Sequence, residues 1–172
     1  MVFRRRPLPL LATMLLSLPL LLAPLYAGRA SAGADRLLVE KSERRLSLIE
    51  NDAVIRYYTI ALGANPIGHK QQEGDERTPE GHYLIDTRKP DSDFHRALHI
   101  SYPNEDDRRQ AEALGVDPGG AIMIHGLPEG WDWLGQVHHA LDWTDGCIAV
   151  TNYEIEEIWS LVEDGTPIEI LP

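Results

Sequence analysis

Trp143-Thr144-Asp145-Gly146-Cys147-Ile148-Ala149-Val150 holds the chain's single cysteine and passes from a turn, through a short apolar run, into a capped helix. The helix is announced by Thr151 and Glu154, which fit a capping box. Ile155, Ile158, Trp159 and Val162 then fall on one apolar face before Gly165 ends the run. Upstream, Asp117-Pro118-Gly119-Gly120 turns the chain into Ala121-Ile122-Met123-Ile124, an apolar run predicted to be a strand that delivers His125 at its end. Two short strands, each carrying one reactive group, can meet over one cleft. The connection from His125 to Cys147 is long and rich in Gly, Trp and His, of a length that is commonly functional in compact domains.

The rest of the chain builds a frame for these strands. Leu37-Leu38-Val39 starts a strand, and Leu46-Ser47-Leu48-Ile49 alternates apolar and polar. Asn51-Asp52 turns the chain into Val54 through Ile60, giving a meander or a pair of hairpins. A turn-rich stretch follows, from Gly63 through Pro66, Gly68 and Gly74 to Thr78-Pro79-Glu80-Gly81. Further strands are predicted at His82 to Asp86, at Leu98 to Ser101 and at the closing Thr166 to Leu171. Asn104 caps a second helix, with Glu105, Asp106 and Asp107 favourably placed at its positive end and Gly115 as its stop. Strands outnumber helices and hairpins outnumber βαβ units. The fold class is therefore β-rich α+β, with β-sandwich-like sheets and peripheral helices.

Composition narrows the setting. The chain has 172 residues, with 16 Lys and Arg against 27 Asp and Glu. Arg4, Arg5, Arg6 and Arg29 precede Gly33, so residues 33–172 carry a net charge of −15. Phosphate backbones would be repelled, which excludes nucleic acid as a partner. At the N-terminus, Arg4 to Arg6 form a basic region, Leu8 to Leu25 an apolar stretch, and Ala30-Ser31-Ala32 a small-x-small cleavage pattern. Residues 1–32 are read as a signal peptide and residues 33–172 as one domain, exported to the periplasm. If uncleaved, the apolar stretch would serve as a membrane anchor.

Export sharpens the meaning of one cysteine. Structural cysteines of exported proteins pair in even numbers. Cys147 is thus buried and inert, paired with another chain, or a reactive thiol. A thiol of ordinary pKa is only a few per cent ionised at neutral pH, so a neighbouring imidazole must take its proton to make a nucleophile. His125 is the candidate base, and an ion pair with Cys147 is expected. Gly146, lacking a side chain, lets backbone N–H groups near Cys147 approach the oxygen of a tetrahedral intermediate.

Beyond this chemistry, Ile124-His125-Gly126, Thr144-Asp145-Gly146-Cys147 and Asn152 resemble the signature of L,D-transpeptidase (YkuD-like) catalytic domains. Ala61-Leu62-Gly63, Gly74-Asp75, Thr78-Pro79-Glu80-Gly81-His82-Tyr83 and Gly165-Thr166-Pro167-Ile168 follow in the order expected of that family. The likeness is strongest to its small periplasmic YafK-type branch and covers residues 36–171. It implies that Cys147 attacks a peptidoglycan stem peptide at diaminopimelate and forms a thioester, with His125 as base and then acid. A carbonyl near Gly126 would orient the ring. Stem peptides are the implied partners, with an envelope lipoprotein as a further acceptor or leaving group. No cofactor and no metal are implied. A hydrolase that releases a linked peptide or protein is the alternative, and a peptidoglycan-binding module without turnover the second.

The family places histidine where Asp145 stands and arginine where Ala149 stands, so substrate recognition is expected to differ. Thr144, Asp145 and His69 are the candidate substrate-binding residues. His125, His138, His139 and Asp142 lack the spacing of a zinc site. His138 and His139 are read as loop or solvent-facing residues, and Trp131, Trp133 and Trp143 as buried.

Overall fold

In the computed structural model, Met1 and residues 33–172 are described; the predicted signal segment lies outside them. β1 (Arg36–Glu40), β2 (Arg45–Glu50) and β3 (Ala53–Thr59) form an antiparallel meander. Asn51 and Asp52 both take positive φ, at 50° and 62°, as the two central residues of a tight hairpin require. Leu37, Val39, Leu46 and Leu48 are fully buried, whereas β3 is mostly exposed, as suits an edge strand. Ser47, predicted to face outward, is buried with its neighbours on β2.

β4 (Gly81–Ser92) joins the two halves of the fold. Its first residues, Gly81 to Leu84, pair with β8 (Pro167–Leu171), and Ile85 onward pairs with β5 (His95–Ile100). The register shifts between Ile85 and Thr87. A strand that changes partners at such an irregularity turns the corner between two packed sheets. The strand order is β3-β2-β1-β8-β4-β5-β6-β7, where β6 is Met123–His125 and β7 is Ile148–Ala149.

The sandwich is therefore one continuous sheet folded over itself. The chain leaving β3 bridges the opposite end of the strand order, Ala61 pairing with Ala149 and Gly63 with Thr144. The predicted preference for hairpins misses two pairings, since β1 with β8 and β6 with β7 are parallel. Both partners in each case lie far apart in sequence, where turn signals carry no information.

The two helices form as their caps dictate. In α1 (Glu105–Leu114), the Asn104 side chain accepts from the N–H groups of Asp106 and Asp107, and Gly115 ends the helix at φ 70°. In α2 (Asn152–Leu161), Thr151 and Glu154 close the capping box, and Ile155 and Ile158 are buried. Its C-cap is Val162, before the predicted stop at Gly165. α2 packs against β5 and β6, which backs the strand carrying His125. Among the described residues no helix is long and apolar enough to cross a membrane.

Candidate active site

β6 and β7 lie side by side, with Ile124 opposite Ile148 and His125 opposite Ala149. His125 thus ends one strand, and Cys147, two residues before its partner Ala149, immediately precedes the other. Both residues line two adjoining cavities, of about 330 Å³ and about 260 Å³. The first is walled by Trp143, Thr144, Asp145 and Ile122, the second by Lys89, Asp91 and Asp93. Phe94 and Ala121 line both, so the thiol is approached from two sides.

His125 is buried, at 3% exposure, and its Nδ1 is 2.7 Å from the carbonyl oxygen of Gly126. A carbonyl only accepts, so Nδ1 carries the proton and Nε2 keeps its lone pair. Phe94 packs against the ring at 4.4 Å between centroids, and Trp143 meets it edge-on at 5.9 Å. Burial pulls its pKa down to about 4, outweighing the bond to Gly126, which favours the charged form. His125 is neutral at pH 7 and able to accept a proton.

Cys147 lies partly exposed in the cleft, its Sγ 3.6 Å from the carbonyl oxygen of Ala121. Burial pushes the thiol up, and the nearby Asp145 carboxylate adds to this. A bond to the Met123 backbone and the positive charge of Lys70 oppose the rise. The expected thiolate–imidazolium pair is therefore not the resting state. Desolvation disfavours the charged form of both groups, leaving thiol and imidazole neutral.

The loop before Cys147 is held tightly. Thr144 Oγ1 donates to the Cys147 carbonyl at 2.7 Å and accepts from the Gly146 N–H at 3.2 Å. Thr144 is buried and its hydroxyl is occupied in shaping the turn, while the residue also lines the first cavity. The Gly146 N–H is likewise committed, so this glycine serves by what it lacks. At φ 120°, a Cβ there would stand 2.5 Å from the Arg77 carbonyl oxygen. Gly126 is similar: a Cβ would come 2.6 Å from Asn152 Oδ1. Asn152 Oδ1 also accepts the Leu127 N–H at 2.7 Å, tying the segment after His125 to the start of α2.

Asp145 is exposed at the mouth of the cleft. His69 does not line it. Its Nδ1 accepts the Glu80 N–H at 3.0 Å, leaving Nε2 to donate to Asp107 at 3.1 Å. That pairing places it at a separate, larger cavity of about 620 Å³ beside α1 and β8.

His138 also departs from its reading, being buried within the 3-10 segment Asp132–Ala140. Trp131 and Trp133 depart in the other direction, with Trp133 82% exposed. Among the described residues no group of three or more His, Cys, Asp or Glu could hold a metal ion. Sequence reasoning missed Phe94, Ala121 and Lys70. Phe94 stood between the predicted strands and carried no signal, while the Ala121 carbonyl acts through its backbone.

Residues 34–170 match the sequence model of the L,D-transpeptidase catalytic domain, YkuD. YafK of Escherichia coli K12, to which L,D-transpeptidase activity is provisionally ascribed, is 34% identical over 128 residues. The match takes in 71% of this chain and 44% of YafK, so the chain spans less than half the length of that relative. The helical cell shape determining protein Pgp2 of Campylobacter jejuni superposes with a TM-score of 0.59 at 26% identity, over 78% of this chain and 46% of Pgp2. An L,D-transpeptidase of Mycobacterium smegmatis shares the fold, with a TM-score of 0.52 at 14% identity over 79% of this chain and 58% of its own.

Proposed function

The chain belongs to the L,D-transpeptidase catalytic-domain family, and from that premise we propose that it is a cysteine acyltransferase acting on peptidoglycan stem peptides in the periplasm. The observation that carries this reading is the His125 tautomer. With Nδ1–H bonded to Gly126, Nε2 is the ring nitrogen left with a lone pair, in a cleft that also holds the Cys147 thiol.

As substrate enters, His125 Nε2 takes the thiol proton while sulfur attacks the carbonyl carbon of the L-centre of diaminopimelate. The tetrahedral oxyanion is met by the Cys147 amide, held in place by the Thr144 turn. The C–N bond then breaks, His125 returns its proton to the departing amine of D-alanine, and a Cys147 thioester remains. A second nucleophile, deprotonated by His125, attacks the thioester and restores the thiol. A stem-peptide amine gives a cross-link, a lysine of an envelope lipoprotein gives a tether, and water gives hydrolysis.

The test is mass spectrometry of the full chain and its Cys147→Ala variant after incubation with disaccharide-tetrapeptide and with intact sacculi. A Cys147-dependent acyl adduct with loss of D-alanine is expected. Cross-linked dimers then identify a transpeptidase, and released peptide or protein without dimers a hydrolase. Neither adduct nor product from folded protein would refute the catalytic reading in favour of a binding module.

A further inference from the structure

Residues 63–80 contain a buried cation that the acyl-transfer chemistry does not use. Lys70 is 3% exposed, and its ammonium donates to Asp75 Oδ1 at 2.8 Å and to the Gln72 carbonyl at 3.0 Å. Asp75 in turn accepts the backbone N–H groups of Gln71, Gln72 and Arg77 at 2.7, 3.2 and 3.1 Å. The pair is the knot around which this loop is tied. Such a buried pair is maintained against a desolvation cost that apolar residues would not incur.

What the knot supports lies on both sides of the nucleophile. On one side the Arg77 carbonyl abuts Gly146, and Gly63 packs so closely on Gly146 that a Cβ at residue 63 would come within 2.9 Å of its Cα. On the other, the Glu73 N–H donates to the Asp117 carbonyl at 2.8 Å, and the Glu73 side chain fills the space where a Cβ of Gly119 would stand. Asp117 and Gly119 belong to the turn that presents Ala121, whose carbonyl receives the thiol. The loop, knotted internally by Lys70 and Asp75 and tied to the end of β1 by Lys41, which pairs with Glu80 at 2.8 Å and donates to the Gly68 and Thr78 carbonyls, thus buttresses both walls of Cys147.

We propose that Lys70 is a positioning residue for Cys147: held by Asp75, it fixes residues 63–80 against both walls of the thiol and keeps a positive charge within the loop that backs the nucleophile. The inference rests on the acyltransfer reading for its purpose, since a buried cation stabilises the negative charge that develops as sulfur gives up its proton. The other charged or titratable groups around the thiol are His125 on β6, Asp145 beside it, and Lys89, Asp91 and Asp93 at the second mouth. The Lys70 charge opposes the rise that burial imposes on the Cys147 thiol.

The experiment follows the alkylation of Cys147 by iodoacetamide against pH in the full chain, by intact mass, with folding checked by circular dichroism and thermal melting. Lys70→Met should raise the apparent thiol pKa by about half a unit to one unit, slowing alkylation at pH 7.5 about 3- to 10-fold. Lys70→Arg should keep the wild-type profile. Asp75→Asn, which loosens the loop yet leaves the cation uncompensated, should not raise the pKa. No shift in folded Lys70→Met overturns the proposal, as do equal upward shifts in Lys70→Met and Asp75→Asn, which would mark simple loosening. If Lys70→Met fails to fold, the direction of the Asp75→Asn shift decides. Alkylation needs no peptidoglycan, so this result stands or falls separately from the acyl-adduct test.

Discussion

His125 and Cys147 face one cleft with both side chains neutral, and the cause is the same for each: burial costs more than their neighbours return. Proton transfer must therefore accompany substrate binding and not precede it. Without substrate, alkylation of Cys147 should rise along a single alkaline limb, with its midpoint above the ordinary thiol range near 8.5. A reactivity plateau persisting down to about pH 4 would instead mark a standing thiolate–imidazolium pair, and a stopped-flow profile from pH 4 to 10 separates the two. Gly146 makes a second demand at this scale. Gly146→Ala would force a side chain into the Arg77 carbonyl at a φ that L residues rarely adopt, and should cost about 2–4 kcal/mol in urea unfolding. The reactive atoms were legible in the sequence because thiol and imidazole chemistry is fixed by residue type. The support was not: Arg77 acts through its carbonyl and Ala121 likewise, and no side-chain identity betrays a backbone contact.

Among elements, the helices were the most legible and the sheet order the least. Asn104 with Asp107 and Thr151 with Glu154 lie three residues apart, so their boxes can be read within one turn of sequence. The pairing of β1 with β8 spans more than a hundred residues, and the exchange of partners along β4 leaves no local mark. The two helix starts also differ in what they hold. Asn104 caps α1 and also donates to the His82 carbonyl at 3.5 Å, away from the site, whereas Asn152 reaches out of α2 to the buried Leu127 N–H, two residues from His125. Asn104→Ala should cost about 1 kcal/mol and leave acylation of Cys147 unchanged. Asn152→Ala should cost about 1–3 kcal/mol by stranding that N–H, and should also slow acylation about tenfold as the Gly126 carbonyl loses its anchor. Paired measurements of unfolding and adduct formation would detect the difference; equal effects on acylation would rule out this role for Asn152.

At the scale of the molecule, closing one sheet on itself gathers residues 61–64, 77, 94, 121–126 and 143–147 into one site, which no single stretch of sequence could display. The same closure buries imidazoles in a chain otherwise dominated by carboxylates. His125 and His138 are both pulled down to about 4 by burial, and His139 is lowered too. Neither ring nitrogen of His138 has a hydrogen-bond partner among the described residues. An unfolded chain binds these protons near pH 6.5, before the folded one does. The stability due to neutral histidine is therefore fully present above about pH 6.5 and is lost as pH falls toward 4. For His125 alone the loss is about 3 kcal/mol across that window. Asp75 and Asp107, whose pKa values are lowered by hydrogen bonds that outweigh burial, hold their contribution until pH falls below the ordinary carboxylate range. Urea melts should thus show a first loss of stability between pH 6.5 and 4.5 that is histidine-borne. His138→Gln, which cannot charge, should flatten that slope while leaving the carboxylate-driven loss at lower pH intact. An unchanged slope in folded His138→Gln would mean that His138 takes up its proton as readily in the folded chain as in the unfolded one.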